Sequence, residues 1–109
     1  MTVYFVQEGS PGNRIKIGFT DVDLAVRMRN LRTANAFPLT LLAAIPGTAK
    51  DEAEMHVRFN ELRRHLEWFE PHPRLLGFIE ALRMMWPVRS TPLAREDMNR
   101  VVWIDGVPF

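Results

Sequence analysis

The sequence contains no cysteine among its 109 residues. This absence excludes disulfide bonds, thiolate metal sites and cysteine nucleophiles. The chain also lacks any apolar run of the roughly 18–20 residues that a membrane-spanning helix requires, so we expect no membrane association. Its first residues, MTVYFVQEG, have neither a basic leader nor a small-residue cleavage site, which argues against a signal peptide. From these absences we expect a cytoplasmic protein.

The sequence has almost no net charge, because 14 Lys and Arg residues against 13 Asp and Glu give a formal charge of +1. The total charge therefore does not indicate a nucleic-acid binder. The distribution is more informative, since clustered cations can form a local anion site on a nearly neutral protein. The alternative is that these side chains line solvated helix faces. The two basic groups are Arg14, Lys16, Arg27, Arg29 and Arg32, followed by Arg58, Arg63, Arg64 and His65.

The length and the apolar pattern predict one small α+β domain. Three stretches rich in β-branched and apolar residues are predicted as strands, and three stretches with apolar residues at helical spacing are predicted as helices. Their order is β-β-α-β-α-α, which favours a three-stranded, mainly antiparallel sheet flanked by helices. The strands are expected within residues 2–7, 14–19 and 39–45, and the helices within 20–33, 46–66 and 73–86.

The stretch that follows the third helix is predicted as an extension, which divides the chain into a domain at 1–86 and a tail at 87–109. Near its end the run RVVWI precedes Asp105 and Gly106, a strand-like segment before a turn signal. One hypothesis is that this segment adds a strand to the sheet. Another is that it pairs with a second copy of the chain as an edge strand, which predicts a homodimer.

Three polar residues in the first third of the chain each have two interpretations. Tyr4 lies on the strand face opposite Val3 and Phe5, either as a half-buried amphipathic tyrosine or as a site residue. Lys16 is either the solvated side of an alternating strand or a cation that points at a ligand. Arg27 borders the apolar stripe of the first helix, where its stem can cover apolar surface. Its guanidinium can also hold a phosphate through two donors.

The second helix carries a pair of residues with metal-binding or proton-transfer chemistry. Glu52 and His56 are four residues apart and therefore share one helical face. A carboxylate beside an imidazole suits a divalent metal or a proton relay. The competing interpretation is a capping carboxylate near a surface histidine. Farther along, Trp68 and Phe69 are interpreted as core residues between helices, with base stacking as the alternative.

Taken in order, these residues resemble the GIY-YIG endonuclease superfamily. The resemblance is greatest to its small phage and bacterial branch, similar to the meiotically up-regulated gene 113 proteins. The motifs of that branch stand here as VYFV, KIGFT, RMRNL, LRTANAFPLTLL, EAEMHVRF and LEWFE. Each motif is weak alone, but their common order makes a strong joint signal. The resemblance covers most of the predicted domain and none of the tail.

The resemblance implies an enzyme that hydrolyses DNA phosphodiester bonds with a single divalent ion, Mg²⁺ or Mn²⁺. Glu52 matches the glutamate that holds this ion in the family. Arg27 matches the helix arginine that holds the scissile phosphate and offsets the charge of the transition state. Tyr4 matches the tyrosine that orients or activates the attacking water.

Lys16 occupies the place of the first tyrosine in the YIG motif, and His56 joins the catalytic set through its place after Glu52. Whether Lys16 or Tyr4 is the general base stays open.

The leading hypothesis is a metal-dependent DNA endonuclease or nicking enzyme. The alternative is a DNA-binding or protein-interaction module on the same fold that does not cut. The residues expected to contact DNA are Arg14, Arg29, Arg32, Arg63 and Arg64.

Overall fold

The computed structural model describes residues 1–9, 13–35 and 37–87, which form a five-stranded antiparallel sheet with three α-helices. Along the sheet the strands follow the order β3-β1-β2-β5-β4. None of the helices in these ranges is long and apolar enough to cross a membrane. The strands are β1 Thr2–Glu8, β2 Ile15–Thr20, β3 Leu39–Pro46, β4 Arg63–His65 and β5 Trp68–Phe69, and the helices are α1 Leu24–Ala34, α2 Ala49–Arg58 and α3 Pro73–Met85.

The α+β class is confirmed, but the prediction of three strands is wrong because β4 and β5 extend the sheet. These two strands have three and two residues. All of β4 is exposed, so it has no apolar alternation that a sequence pattern could reveal. The second helix was expected within residues 46–66, and α2 occupies Ala49–Arg58 of that stretch. Leu66 turns the chain between β4 and β5 with a φ of 52°, a conformation that few non-glycine residues adopt.

The tail cannot be compared with its prediction. Residues 88–109 lie outside the described residues, and so does the strand expected near residue 102. The self-association hypothesis that rests on this segment stays a prediction.

The two faces of the sheet carry different side chains because successive strand residues point in opposite directions. Val3 and Phe5 of β1 pack toward α3 and the end of α2, whereas Tyr4 packs toward α1. Across the antiparallel ladder Tyr4 lies opposite Gly18 of β2. Lys16, two residues from Gly18, shares that face. The strand residues nominated by the sequence therefore all lie on the side of the sheet that α1 covers.

Local capping fixes where α1 and α2 begin. The Asp23 side chain accepts a hydrogen bond from the Ala25 amide, which starts α1 at Leu24. Thr48 and Asp51 form a reciprocal capping box at the start of α2. Arg27 consequently lies one turn into α1, and Glu52 lies in the first turn of α2.

An ion pair closes the β1–β2 hairpin near its loop. Glu8 is only 4% exposed, and its carboxylate accepts hydrogen bonds from the backbone amide of Arg14 at 3.0 Å and from Nε of the same residue at 2.7 Å. The side-chain hydrogen bond from Arg14 lowers the pKa of the Glu8 carboxyl below its usual range, against the opposing effect of burial. Arg14, expected to contact DNA, is thus held by a buried partner.

We expect Glu8→Gln to lower the free energy of unfolding by about 1.5–3 kcal/mol at neutral pH, because it removes charge-assisted hydrogen bonds. The folded-state pKa of Glu8 is below its unfolded value, so the contribution is present above the unfolded pKa and is lost as pH falls through the folded pKa. Urea unfolding of both proteins at neutral and acidic pH measures this difference. An equal difference at both pH values would contradict the assignment.

Candidate active site

The candidate site forms where β2 runs past the end of β5. In the described part of the chain, β5 pairs with β2 at Ile15 and Lys16 only. At the next residue, the Ile17 amide donates to the Glu67 carbonyl at 3.1 Å. The Ile17 carbonyl accepts a hydrogen bond from Nε2 of His56 at 2.9 Å. These two bonds anchor α2 and the turn before β5 against the same open stretch of β2.

Three side chains with metal-ligand chemistry meet at this point. Glu52, His56 and Glu67 each offer one ligand atom, and these atoms lie within 4.8 Å of one another. Nε2 of His56 faces a carbonyl oxygen and must carry the hydrogen, so Nδ1 of the neutral ring has a free lone pair. Two carboxylates and an imidazole nitrogen are a suitable donor set for a divalent cation. The residues present therefore fit the ion that the family resemblance implies.

The charge environment of Glu52 agrees with this placement. Burial raises the pKa of the Glu52 carboxyl, and the negative charge of Glu67 raises it further. His56 and Lys16 act in the opposite direction. Glu52 therefore lies within electrostatic reach of each of these three side chains.

Lys16 extends from β2 toward the carboxylates instead of into open solvent. Its side chain is 17% exposed, and Nζ lies 3.8 Å from a carboxylate oxygen of Glu67. The same ammonium group lies 5.7 Å from the ring centroid of Trp68, and the Arg14 guanidinium lies 5.0 Å from it. The aromatic ring, which is half-buried, therefore supports both cations.

Tyr4 lies on the same face of the sheet as Lys16, and its ring crosses the backbone of Gly18. Tyr4 is 2% exposed. A Cβ atom added at Gly18 would lie 2.7 Å from Cε1 of Tyr4 and closer still to Cζ and Oη. Glycine is therefore required at this position by the close approach of the phenol ring.

The environment of Tyr4 keeps its phenol protonated. Burial raises the pKa of Tyr4 to about 12, despite the opposing positive charge of Arg27. The negative charges of Glu67 and Glu52 raise it further. At neutral pH Tyr4 is consequently a hydrogen-bond donor, not a phenolate.

Arg27 reaches the same place from α1. It is half-buried, and its Nε is fully buried without a hydrogen-bond partner among residues 1–9, 13–35 and 37–87. A buried donor without a partner is costly, and each such group in a folded protein requires an explanation. An anion that enters beside Tyr4 would provide the missing acceptor.

The structure thus brings all five predicted catalytic residues together and adds Glu67. Glu67 was missed because the EWF stretch was analysed for its two aromatic residues. The family motif itself could have identified Glu67, because a glutamate precedes the two aromatic residues in that motif. The core interpretation is confirmed for Phe69, which is fully buried. The assembled set is Tyr4, Lys16, Arg27, Glu52, His56 and Glu67.

The arginines expected to contact DNA lie on several elements. Arg29 and Arg32 are exposed on α1. On β4, Arg63 donates to the Leu66 carbonyl, and Arg64 pairs with Glu70, which follows β5. Arg14 precedes β2, and both Arg14 and Arg64 lie within electrostatic reach of Glu8. The contact of these five arginines with DNA stays a prediction.

Comparison with known proteins places this chain in a family. The family model described as the T5orf172 domain matches residues 1–83. The chain belongs to the T5orf172 domain family. This phage-associated family is related to GIY-YIG-like endonuclease folds, so the T5orf172 match indicates a nuclease-like or DNA-binding role. Searches of curated proteins and of solved structures found no match.

Proposed function

We propose that this T5orf172 domain is a metal-dependent DNA endonuclease that hydrolyses a phosphodiester bond beside Glu52. One observation carries the proposal. Among the described residues, the Arg27 guanidinium has a buried Nε without a partner, and Glu52, His56 and Glu67 form a cluster of divalent-ion ligands. The protonated phenol of Tyr4 lies within electrostatic reach of Arg27, Glu52 and Glu67. Phosphodiester hydrolysis needs groups that bind the phosphate, orient water and offset developing negative charge.

Arg27 binds the scissile phosphate in this proposal. A guanidinium presents parallel N–H groups that match two phosphate oxygens, and a charge-assisted pair of this kind is strong and directional. Nε of Arg27 is buried and not hydrated. A hydrogen bond from this atom to phosphate therefore does not require the removal of water from it. The interaction strengthens as negative charge accumulates on the phosphate oxygens in the transition state.

Tyr4 and Lys16 have different tasks because their surroundings differ. Tyr4 has a pKa of about 12, so its hydroxyl group donates a hydrogen bond to the attacking water or to a phosphate oxygen and is not the general base. Lys16 places its ammonium group 3.8 Å from the Glu67 carboxylate, and we assign it to attraction of the phosphate. A divalent ion at Glu52 would supply Lewis acidity toward water and phosphate oxygen.

Plasmid cleavage tests the proposal. We expect the wild-type protein to nick or linearise supercoiled DNA with Mg²⁺ or Mn²⁺, and Glu52→Gln to reduce the rate by at least about 10²-fold. The matched control is Glu54→Gln, the same chemical change on an exposed residue of the same helix. Its rate is expected to equal that of the wild type.

Two results would refute cleavage at this site. Equal rates for the wild type, Glu52→Gln and the control would assign the activity to another site or to a contaminating nuclease. DNA binding by fluorescence anisotropy without cleavage on any substrate would instead support a non-cleaving DNA-binding module.

A further inference from the structure

We infer that three ligands hold the divalent ion, namely the carboxylates of Glu52 and Glu67 and Nδ1 of His56, and that this set prefers Mn²⁺ to Mg²⁺. The inference deepens the proposed function and rests on it for the reaction that the ion serves. Ion binding itself can be measured without any cleavage.

The spacing of the three groups supports one shared ion. Two ligands of the same ion are separated by at most about twice a metal–ligand bond, which is roughly 2.0–2.2 Å for nitrogen and oxygen ligands. The candidate atoms of Glu52, His56 and Glu67 all lie within 4.8 Å of one another. Side-chain adjustments would therefore bring one ligand atom of each residue within bonding distance of one ion.

The histidine is held in the orientation that a ligand requires. Metal-bound histidines usually donate their other ring N–H to a backbone carbonyl or a carboxylate, which fixes the tautomer and the ring plane. His56 makes this bond through Nε2 to the Ile17 carbonyl at 2.9 Å. The centroid of its ring also lies 5.3 Å from that of Phe69, which is fully buried. Nδ1 is thereby left as the free nitrogen of a positioned ring.

The balance of charge also favours a bound cation. Glu52 and Glu67 bring two carboxylates together, and like charges at this separation repel. Lys16 forms an ion pair with Glu67 at 3.8 Å, close to the outer limit for such a pair, and the Glu67 side chain is 42% exposed. A partly exposed pair of this kind contributes little energy. The Lys16 ammonium group therefore offsets only part of the charge of these two carboxylates, which a divalent ion would compensate more fully.

The mixed donor set determines which ion is preferred. Mg²⁺ binds through oxygen ligands, retains several waters and dehydrates reluctantly. Imidazole nitrogen suits transition ions, for which a nitrogen ligand adds affinity. His56 should therefore strengthen Mn²⁺ binding selectively, whereas Glu67 should strengthen the binding of both ions.

Isothermal titration calorimetry with the full chain tests this inference. We expect the wild type to bind Mn²⁺ at least about tenfold more tightly than Mg²⁺. Glu67→Gln should weaken Mn²⁺ binding by at least about tenfold, and Glu54→Gln on the outer face of α2 should leave it unchanged. His56→Gln should reduce the ratio of the Mn²⁺ and Mg²⁺ affinities.

Thermal unfolding without metal checks that each variant is folded. Because the Glu67 side chain is partly exposed, Glu67→Gln should disturb folding least.

The outcomes separate this inference from the proposed function. Mn²⁺ binding unchanged by Glu67→Gln and by His56→Gln would overturn the three-ligand site, even if Glu52→Gln abolished cleavage. Absence of Mn²⁺ binding to the wild type would overturn it too. The expected pattern of affinities together with intact plasmid would support the ion site while refuting the endonuclease proposal.

Discussion

Arg27→Met is expected to reduce DNA cleavage by about 10²–10³-fold without loss of stability. The rate falls because methionine has no donor for the scissile phosphate or for the charge that develops on it. Removal of one preorganised donor at a developing oxyanion commonly has an effect of this size. Because Arg27 is assigned to the phosphate and not to the ion, Mn²⁺ affinity should change little.

The stability of the same variant should be unchanged or higher. Nε of Arg27 is buried without a partner in the part of the chain that the structure describes. An unsatisfied buried donor costs about 1–3 kcal/mol, and methionine replaces it with an apolar chain of similar length. The site would then show a trade-off in which a destabilising group is retained for activity.

Two measurements check the Arg27 prediction. Cleavage rates and urea unfolding are compared for the wild type and Arg27→Met, with Arg74→Met as a control that removes one positive charge elsewhere. Arg74 lies on α3, across the sheet from α1, and pairs with Glu61. Arg27→Lys should retain part of the activity because it keeps the charge but loses the planar fork. Cleavage by Arg27→Met at the wild-type rate would contradict the assigned role.

Much of the fold could be predicted from sequence because its main elements have local signals. The alternation in β1 and β2 and the helical spacing in α1 each arise from residues that are close in the chain. The last two strands have no such signal. Their pairing depends on Leu66 turning the chain and on Phe69 filling the core, and both become visible only when the distant parts of the chain are assembled.

The difference between local signals and long-range contacts also explains which part of the site could not be predicted. The motifs nominated Glu52 and Arg27 individually, and their order in the chain gave the resemblance to a nuclease family. The position of Glu67 beside Glu52 depends on the pairing of β5 with β2, a long-range contact. The proposal that Tyr4 is a hydrogen-bond donor and not the base could not be made from sequence either, because it depends on the burial that raises the pKa of Tyr4 to about 12.

Gly18→Ala is expected to lower the free energy of unfolding by about 1–3 kcal/mol and to reduce cleavage, because the new methyl group overlaps the Tyr4 ring. Alanine is otherwise no worse than glycine in a strand, so intrinsic propensity does not account for such a loss. The phenol cannot move away freely, since Tyr4 is buried between the sheet and α1. Its hydroxyl should therefore be displaced from Arg27 and the carboxylates.

A matched substitution and a second-site change make the Gly18 prediction specific. Gly77→Ala makes the same chemical change on an exposed position of α3 with no atom within 4 Å, so it should stabilise the protein by about 0.5–1 kcal/mol. Tyr4→Phe should not relieve the Gly18→Ala penalty, because Cζ and Cε1 remain. Tyr4→Val should relieve it, which a double-mutant cycle of urea unfolding would show as a coupling energy. If Gly18→Ala is no more destabilising than Gly77→Ala, the Tyr4 ring does not lie across β2, and its assignment as donor at the phosphate fails with it.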